Sequence, residues 1–107
     1  MLFNTGWDRH WRTEDYGDPN HPFVGAALAD ALVTAHPVLV GIDSVNIDST
    51  AGEARPAHSS LLGAGILVVE HLTRLDRLPD GEFEFFAVPP KVRGMGTFPV
   101  RAFARWS

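Results

Sequence analysis

The pair His58 and Glu70 offers the most specific chemistry in this sequence. On a helix beginning at Pro56, His58 shares a face with Leu61 and Leu62, three and four residues on, which directs its imidazole toward the core. Glu70 ends the apolar run Ile66–Val69 and falls on the strand face of Ile66 and Val68. A carboxylate there costs several kcal/mol (order of magnitude) unless an Arg, a hydrogen-bonded His or a metal ion pairs with it. The two residues sit on consecutive elements, and one imidazole with one carboxylate is a common partial metal shell. A plainer reading also holds: a satisfied core histidine and a glutamate in water at a sheet edge. Spacing alone favours this plainer reading.

Other candidates follow the same logic. Asp43 and Asp48 come after the apolar run Val38–Ile42, and the carboxyl ends of strands are where α/β sheets place their sites. Asp is equally a turn former there. Trp7, His10, Trp11 and Tyr16 cluster in one polar segment, where they either line a pocket for an aromatic ligand or pack the loop onto the domain. His21, His36 and His71 complete the histidines. The sequence contains no His-Glu-x-x-His, Gly-x-Ser-x-Gly, P-loop or Gly-x-Gly-x-x-Gly motif, and Gly94-Met95-Gly96 reads as a turn.

The elements that must position these residues can be read from periodicity. Leu2-Phe3 reads as a strand end running into the turn Thr5-Gly6, followed by a long loop over Trp7–Pro22. Leu28, Ala31, Leu32 and Ala35 predict a helix over Ala26–Ala35, capped by Gly25 and stopped before Pro37. Val38–Ile42 reads as a strand covered on both faces. Asp43–Arg55 is a polar loop, Pro56 starts a short helix ended by Gly63 or Gly65, and Ile66–Val69 is a second buried strand. Leu72, Leu75 and Leu78 suggest a further helical turn. Phe83–Ala87 and Pro99–Arg105 alternate as strands on either side of the loop Pro89–Gly96. The alternation of helix and strand indicates an α/β class, and the length allows one domain.

Composition excludes several functions. With no Cys there is no disulfide scaffold, thiolate metal site or thiol nucleophile. Nine basic residues face thirteen acidic ones without a basic run, which argues against nucleic acid as a partner. No apolar run approaches the length of a membrane span, and Met1–Trp7 lacks the pattern of a secretory signal, so a cytoplasmic location is the expectation.

Several segments occur in an order that carries a resemblance. They are Thr5-Gly6-Trp7-Asp8-Arg9-His10-Trp11, His21-Pro22-Phe23, Val40–Asp48, His58-Ser59-Ser60-Leu61-Leu62, Val69-Glu70-His71-Leu72 and Pro99-Val100-Arg101-Ala102. Together they resemble the second half of the metal-dependent cyclase/hydrolase family that includes bacterial kynurenine formamidase. The resemblance covers nearly the whole chain. It implies a three-layer β/β/α fold of the swivelling type and a homo-oligomer. The implied activity is hydrolysis of an amide, such as the formamide of N-formylkynurenine in tryptophan breakdown. It implies Zn2+ or Mn2+ as cofactor, with His58 and Glu70 on the family's two ligand positions twelve residues apart. Trp7, His10, Asp43 and Asp48 then become candidates for the pocket or for support of those ligands.

The family's remaining ligands and its acid/base histidine belong to a motif of the form His-x-Gly-Thr-His-x-Asp-x-Pro-x-His, which these 107 residues do not contain. The expectation is therefore residues 1–107 as the C-terminal portion of a single family domain, with no catalytic residue of its own. Its activity would depend on the motif supplied elsewhere, for instance by a complementing N-terminal chain. The alternative is a catalytically inactive remnant that oligomerises or binds a small molecule.

Overall fold

The computed structural model describes all 107 residues, Met1–Ser107, and the chain divides into two compact units, Met1–Asp76 and Arg77–Ser107. The first unit is built on a three-stranded parallel sheet, with β1 (Leu2–Phe3), β2 (Leu39–Ile42) and β3 (Leu67–Val69) in the order β1-β2-β3. Leu2 pairs with Gly41, and Gly41 in turn with Val69. Parallel neighbours need a crossover between them. The chain supplies helix α1 (Ala26–Ala35) before β2 and helix α2 (Pro56–Gly63) between β2 and β3. The α/β class read from the sequence is thus realised, as a parallel sheet with two helices.

Three residues decide where α1 lies. Gly25 leads in from extended backbone, and His36 closes the helix in the left-handed conformation (φ 52°), its N–H bonded to the Leu32 carbonyl. Pro37 has no N–H with which to continue. The buried face differs from the expected one. Ala29 and Leu32 are buried with Val33 packed beside them, whereas Leu28, Ala31 and Ala35 are exposed. The helix is apolar almost all round, so the pattern offers several faces, and packing against α2 selects one.

A similar correction applies to α2, where Ala57 and Leu61 are fully buried but Leu62 is 54% exposed. Val38, expected to begin a covered strand, is 82% exposed; β2 starts at Leu39. The core joins Val24, Ala29, Leu32, Val40, Ile42, Ile47, Ala57, Leu61 and Ile66. Gly41 sits where the strands pack most closely: a Cβ there would lie 2.7 Å from side-chain carbons of both Leu2 and Leu72. The long first loop contains two 3-10 turns, Trp7–His10 and Glu14–Gly17. The helical turn expected over Leu72–Leu78 contracts to Leu75–Arg77.

The second unit is an antiparallel hairpin of β4 (Glu84–Val88) and β5 (Arg101–Arg105). Phe86 and Phe103 are direct cross-strand partners and stack with ring centroids 4.8 Å apart. Arg105 lies over the Phe86 ring and reaches the Glu84 carboxylate at 2.6 Å. No helix of the chain is long and apolar enough to cross a membrane.

Candidate functional site

A helix N-terminus leaves backbone N–H groups without partners, and α2 has no side-chain cap from the residue preceding it. Asp48, in the loop after β2, fills that role from a distance. Its Oδ1 accepts the Ala57 N–H at 2.7 Å and its Oδ2 accepts the His58 N–H at 2.9 Å. The negative carboxylate also lies at the positive end of the helix. Oδ2 further takes the His58 ring at Nδ1, 2.7 Å away. Burial pushes the Asp48 carboxyl up, but the hydrogen bonds from the His58 and Ala57 backbone and the His58 ring outweigh it. The carboxyl therefore lies below its ordinary range.

This arrangement fixes the proton on one ring nitrogen of the histidine. An ionised carboxylate is acceptor-only, so Nδ1 of His58 carries the proton and donates it to Asp48. In the neutral ring Nε2 is then left as a lone-pair donor. It faces Oε2 of Glu70 across 3.5 Å. That same oxygen accepts the Ile47 N–H at 2.7 Å, which fixes the carboxylate. Two lone-pair groups facing one another call for a positive charge between them, a proton or a cation.

One short segment therefore orients both residues: Ile47 through its backbone N–H and Asp48 through its side chain. Both are buried. Asn46 tightens the turn by accepting the Asp48 N–H at 2.8 Å. The loop beyond is tied down by Arg55, whose guanidinium donates to the carbonyls of Ser49, Gly52 and Ala54. His58 itself is not turned wholly into the core; its side chain is 27% exposed, and so open to a ligand. The helix–turn–strand path from α2 to β3 brings His58 and Glu70 together, since β3 ends one residue before Glu70.

Donor type and orientation fit a divalent cation held by His58 Nε2 and Glu70 Oε2. The carboxylate–histidine contact through Asp48 is the usual outer support of such a ligand. The number of donors is smaller than a catalytic centre uses: no group of three or more His, Asp or Glu side chains in this chain is placed to hold one metal ion together.

The remaining candidates are placed elsewhere. Asp43 is buried and commits both oxygens to the turn after β1. Oδ1 accepts from the Thr5 N–H and hydroxyl at 2.8 and 2.6 Å, and Oδ2 from the Gly6 N–H at 3.0 Å. Trp7 donates its indole N–H to the Tyr16 carbonyl at 2.8 Å, and its ring lies 4.5 Å from that of His10. Both therefore pack the first loop onto itself. His21 is buried, with Nδ1 near the Pro22 carbonyl at 2.9 Å and Nε2 near the Thr50 hydroxyl at 3.2 Å.

Periodicity missed two features here. One is Ile47, whose role is carried by a backbone N–H and leaves no trace in residue type. The other is the contact between the Tyr16 hydroxyl and Nδ1 of His71, 3.0 Å apart and fifty-five residues distant in sequence. Burial and the nearby carboxylates of Asp43, Asp8 and Glu70 push the Tyr16 hydroxyl up to about 12. His71 adopts a left-handed backbone (φ 62°) directly after Glu70.

Comparison with known proteins points one way. The Cyclase family model, described as "Putative cyclase", matches residues 1–49. A kynurenine formamidase of Polaromonas naphthalenivorans is 38% identical over 82 residues, covering 77% of this chain and 36% of that protein. One of Salinibacter ruber is 40% identical over 87 residues, covering 81% of this chain and 39% of that protein. A solved structure, "The Structure Of Potential Metal-Dependent Hydrolase With Cyclase Activity", superposes with a TM-score of 0.66 at 35% identity, over 75% of this chain and 39% of that one. The chain spans less than half the length of each of these relatives.

Proposed function

The chain belongs to the cyclase family, and on that premise we propose that it contributes His58 and Glu70 to a divalent-metal centre that hydrolyses an aryl formamide of the N-formylkynurenine type. The observation that carries this reading is the facing of His58 Nε2 and Glu70 Oε2 at 3.5 Å. Asp48 and Ile47 hold the two residues from adjacent positions in one buried loop. Zn2+ and Mn2+ both accept this imidazole-plus-carboxylate donor set. When bound, such an ion supplies Lewis acidity and a nucleophile at neutral pH.

The chain's own residues do the positioning. Asp48 keeps the proton on Nδ1 of His58 and so keeps Nε2 free for a ligand. The Ile47 N–H prevents the Glu70 carboxylate from swinging away. The buried Leu61 and Ala57 anchor the helix that carries His58. His21 offers no proton to a substrate, because both ring nitrogens are engaged in the interior. The reading therefore places the remaining metal donors and the acid/base group outside these 107 residues, in a further segment or a complementing chain.

Zinc and manganese titration by calorimetry tests the ligand assignment, with His58→Ala and Glu70→Ala as controls. The expected result is metal affinity that falls at least about tenfold in either variant, while helix content is unchanged. Equal affinity in all three proteins removes the assignment. Assay for formamide hydrolysis, with and without a polypeptide carrying the His/Asp motif, then addresses the activity. Metal binding without hydrolysis in either mixture favours a non-catalytic binding role.

A further inference from the structure

A second feature of the first unit lies outside the His58–Asp48–Glu70 cluster. Asp8, Trp11, Arg12, Thr73 and Arg74 line an open cleft of about 530 Å³. That volume falls within the range of small-molecule sites, roughly 300–1,000 Å³. The lining comes from two separate segments, the first loop and the stretch after β3. They are joined by the Arg74 N–H, which donates to Asp8 Oδ2 at 2.9 Å.

The cleft's chemistry is specific. The first unit holds four arginines, and two of them spend their guanidinium groups on backbone carbonyls: Arg9 on Gly6, and Arg55 on its loop. The other two are Arg12 and Arg74. Neither has a carboxylate within 4.0 Å, nor a side-chain hydrogen bond within the chain. Two guanidinium groups against the single Asp8 carboxylate leave the lining with one net positive charge, which matches a monoanion. The Trp11 indole is 46% exposed, and its position is fixed by an edge-to-face contact with Tyr16 at 5.0 Å. An exposed aromatic face held in place is a platform for a planar ring.

Backbone conformation marks the same place. Arg12 (φ 67°) and Arg74 (φ 61°) are both left-handed, as is His71, whose ring lies 6.3 Å from that of Trp11. Strained non-glycine residues concentrate at ligand clamps. Here Arg12 and Arg74 come from two distant segments and line one cleft.

We propose that this cleft binds a small aromatic carboxylate, with its ring on Trp11 and its carboxylate shared by Arg12 and Arg74. Arginine is suited to the second task, because its planar fork presents paired donors to a carboxylate. The assignment is independent of the metal reading, since neither His58, Asp48 nor Glu70 lines the cleft.

NMR chemical-shift titration of the 107-residue chain tests it, with benzoate, its neutral isostere benzamide and inorganic phosphate as probes. Benzoate is expected to bind in the millimolar range and to shift the Trp11 indole N–H. The uncharged benzamide and the doubly substituted Arg12→Gln/Arg74→Gln chain should each bind about tenfold more weakly or worse. Trp11→Phe should retain binding, and Trp11→Ala should lose it with the overall spectrum preserved. No benzoate shift up to about 10 mM overturns the proposal. So does equal binding of benzamide, or undiminished binding by the double variant. Phosphate binding as tight as benzoate also overturns it, since the cleft would then be a simple anion site.

Discussion

Replacing Asp48 by Asn separates the role of the carboxylate from that of its volume. Asp48 is 1% exposed and accepts three hydrogen bonds, at 2.7 Å from Ala57 N, 2.9 Å from His58 N and 2.7 Å from His58 Nδ1. The amide of Asn keeps one oxygen and sets an NH2 group against donors, so either the Ala57 N–H, or the His58 N–H together with its ring, loses its acceptor. Loss of an N-cap costs about 1 kcal/mol, and loss of a buried hydrogen bond to a charged group about 1.5–3 kcal/mol. The sum is about 3 kcal/mol, equivalent to roughly 10–20 °C in Tm for a chain of this size. Urea unfolding followed by circular dichroism measures it. The pH dependence provides a second reading of the same group. Its folded pKa is held below the ordinary value of 3.8, so the stabilisation is present above that value and is lost as pH falls through the folded pKa. Wild type should therefore lose stability below about pH 3.8, and Asp48→Asn should lack this part of the acid limb. A variant within about 0.5 kcal/mol of wild type at pH 7 would refute the reasoning, because the carboxylate would then not be capping α2.

Leu61→Ala should cost about 2–5 kcal/mol, whereas the adjacent Leu62→Ala should stay within about 0.5 kcal/mol, as their urea midpoints will show. Gly41→Ala places a Cβ 2.7 Å from the Leu2 and Leu72 side chains. Unfolding curves should report a loss of about 1–3 kcal/mol from overpacking. Tyr16, the one tyrosine of the sequence, should titrate near 12 when followed by phenolate absorbance. Because its folded pKa is raised, its contribution is complete below the ordinary value of 10.0 and declines as pH rises through about 12. A midpoint near 10 would contradict the burial of the hydroxyl beside the Asp43, Asp8 and Glu70 carboxylates.

The α/β class, the order of elements and the span Ala26–Ala35 follow from local signals that act within a few residues. Gly25 and Pro37 bracket the helix, and Pro56 opens the next one whatever else the chain does. Periodicity was less able to say which side of a helix is buried. In α1 the apolar residues run around the cylinder, and contact with α2 chose Ala29 and Leu32 over Leu28. In α2 the same selection buried Leu61 and left Leu62 in water.

The site divides along the same line. Residue types on consecutive elements made His58 and Glu70 candidates, because an imidazole and a carboxylate carry their chemistry in the side chain, and the family resemblance singled the pair out. The sequence did not show how they are held. Asp48 reads as one more turn-forming aspartate until the fold places it under α2, where it caps the helix and fixes the tautomer of His58. Ile47 acts through an N–H that every residue except proline possesses. Arg12 and Arg74 lie sixty-two positions apart, and only the closing of the first loop on the segment after β3 makes them neighbours of one cleft. Side-chain chemistry and local backbone preference are written in the sequence. Orientation, shared burial and the pairing of distant groups are products of tertiary packing, since they depend on which surfaces meet.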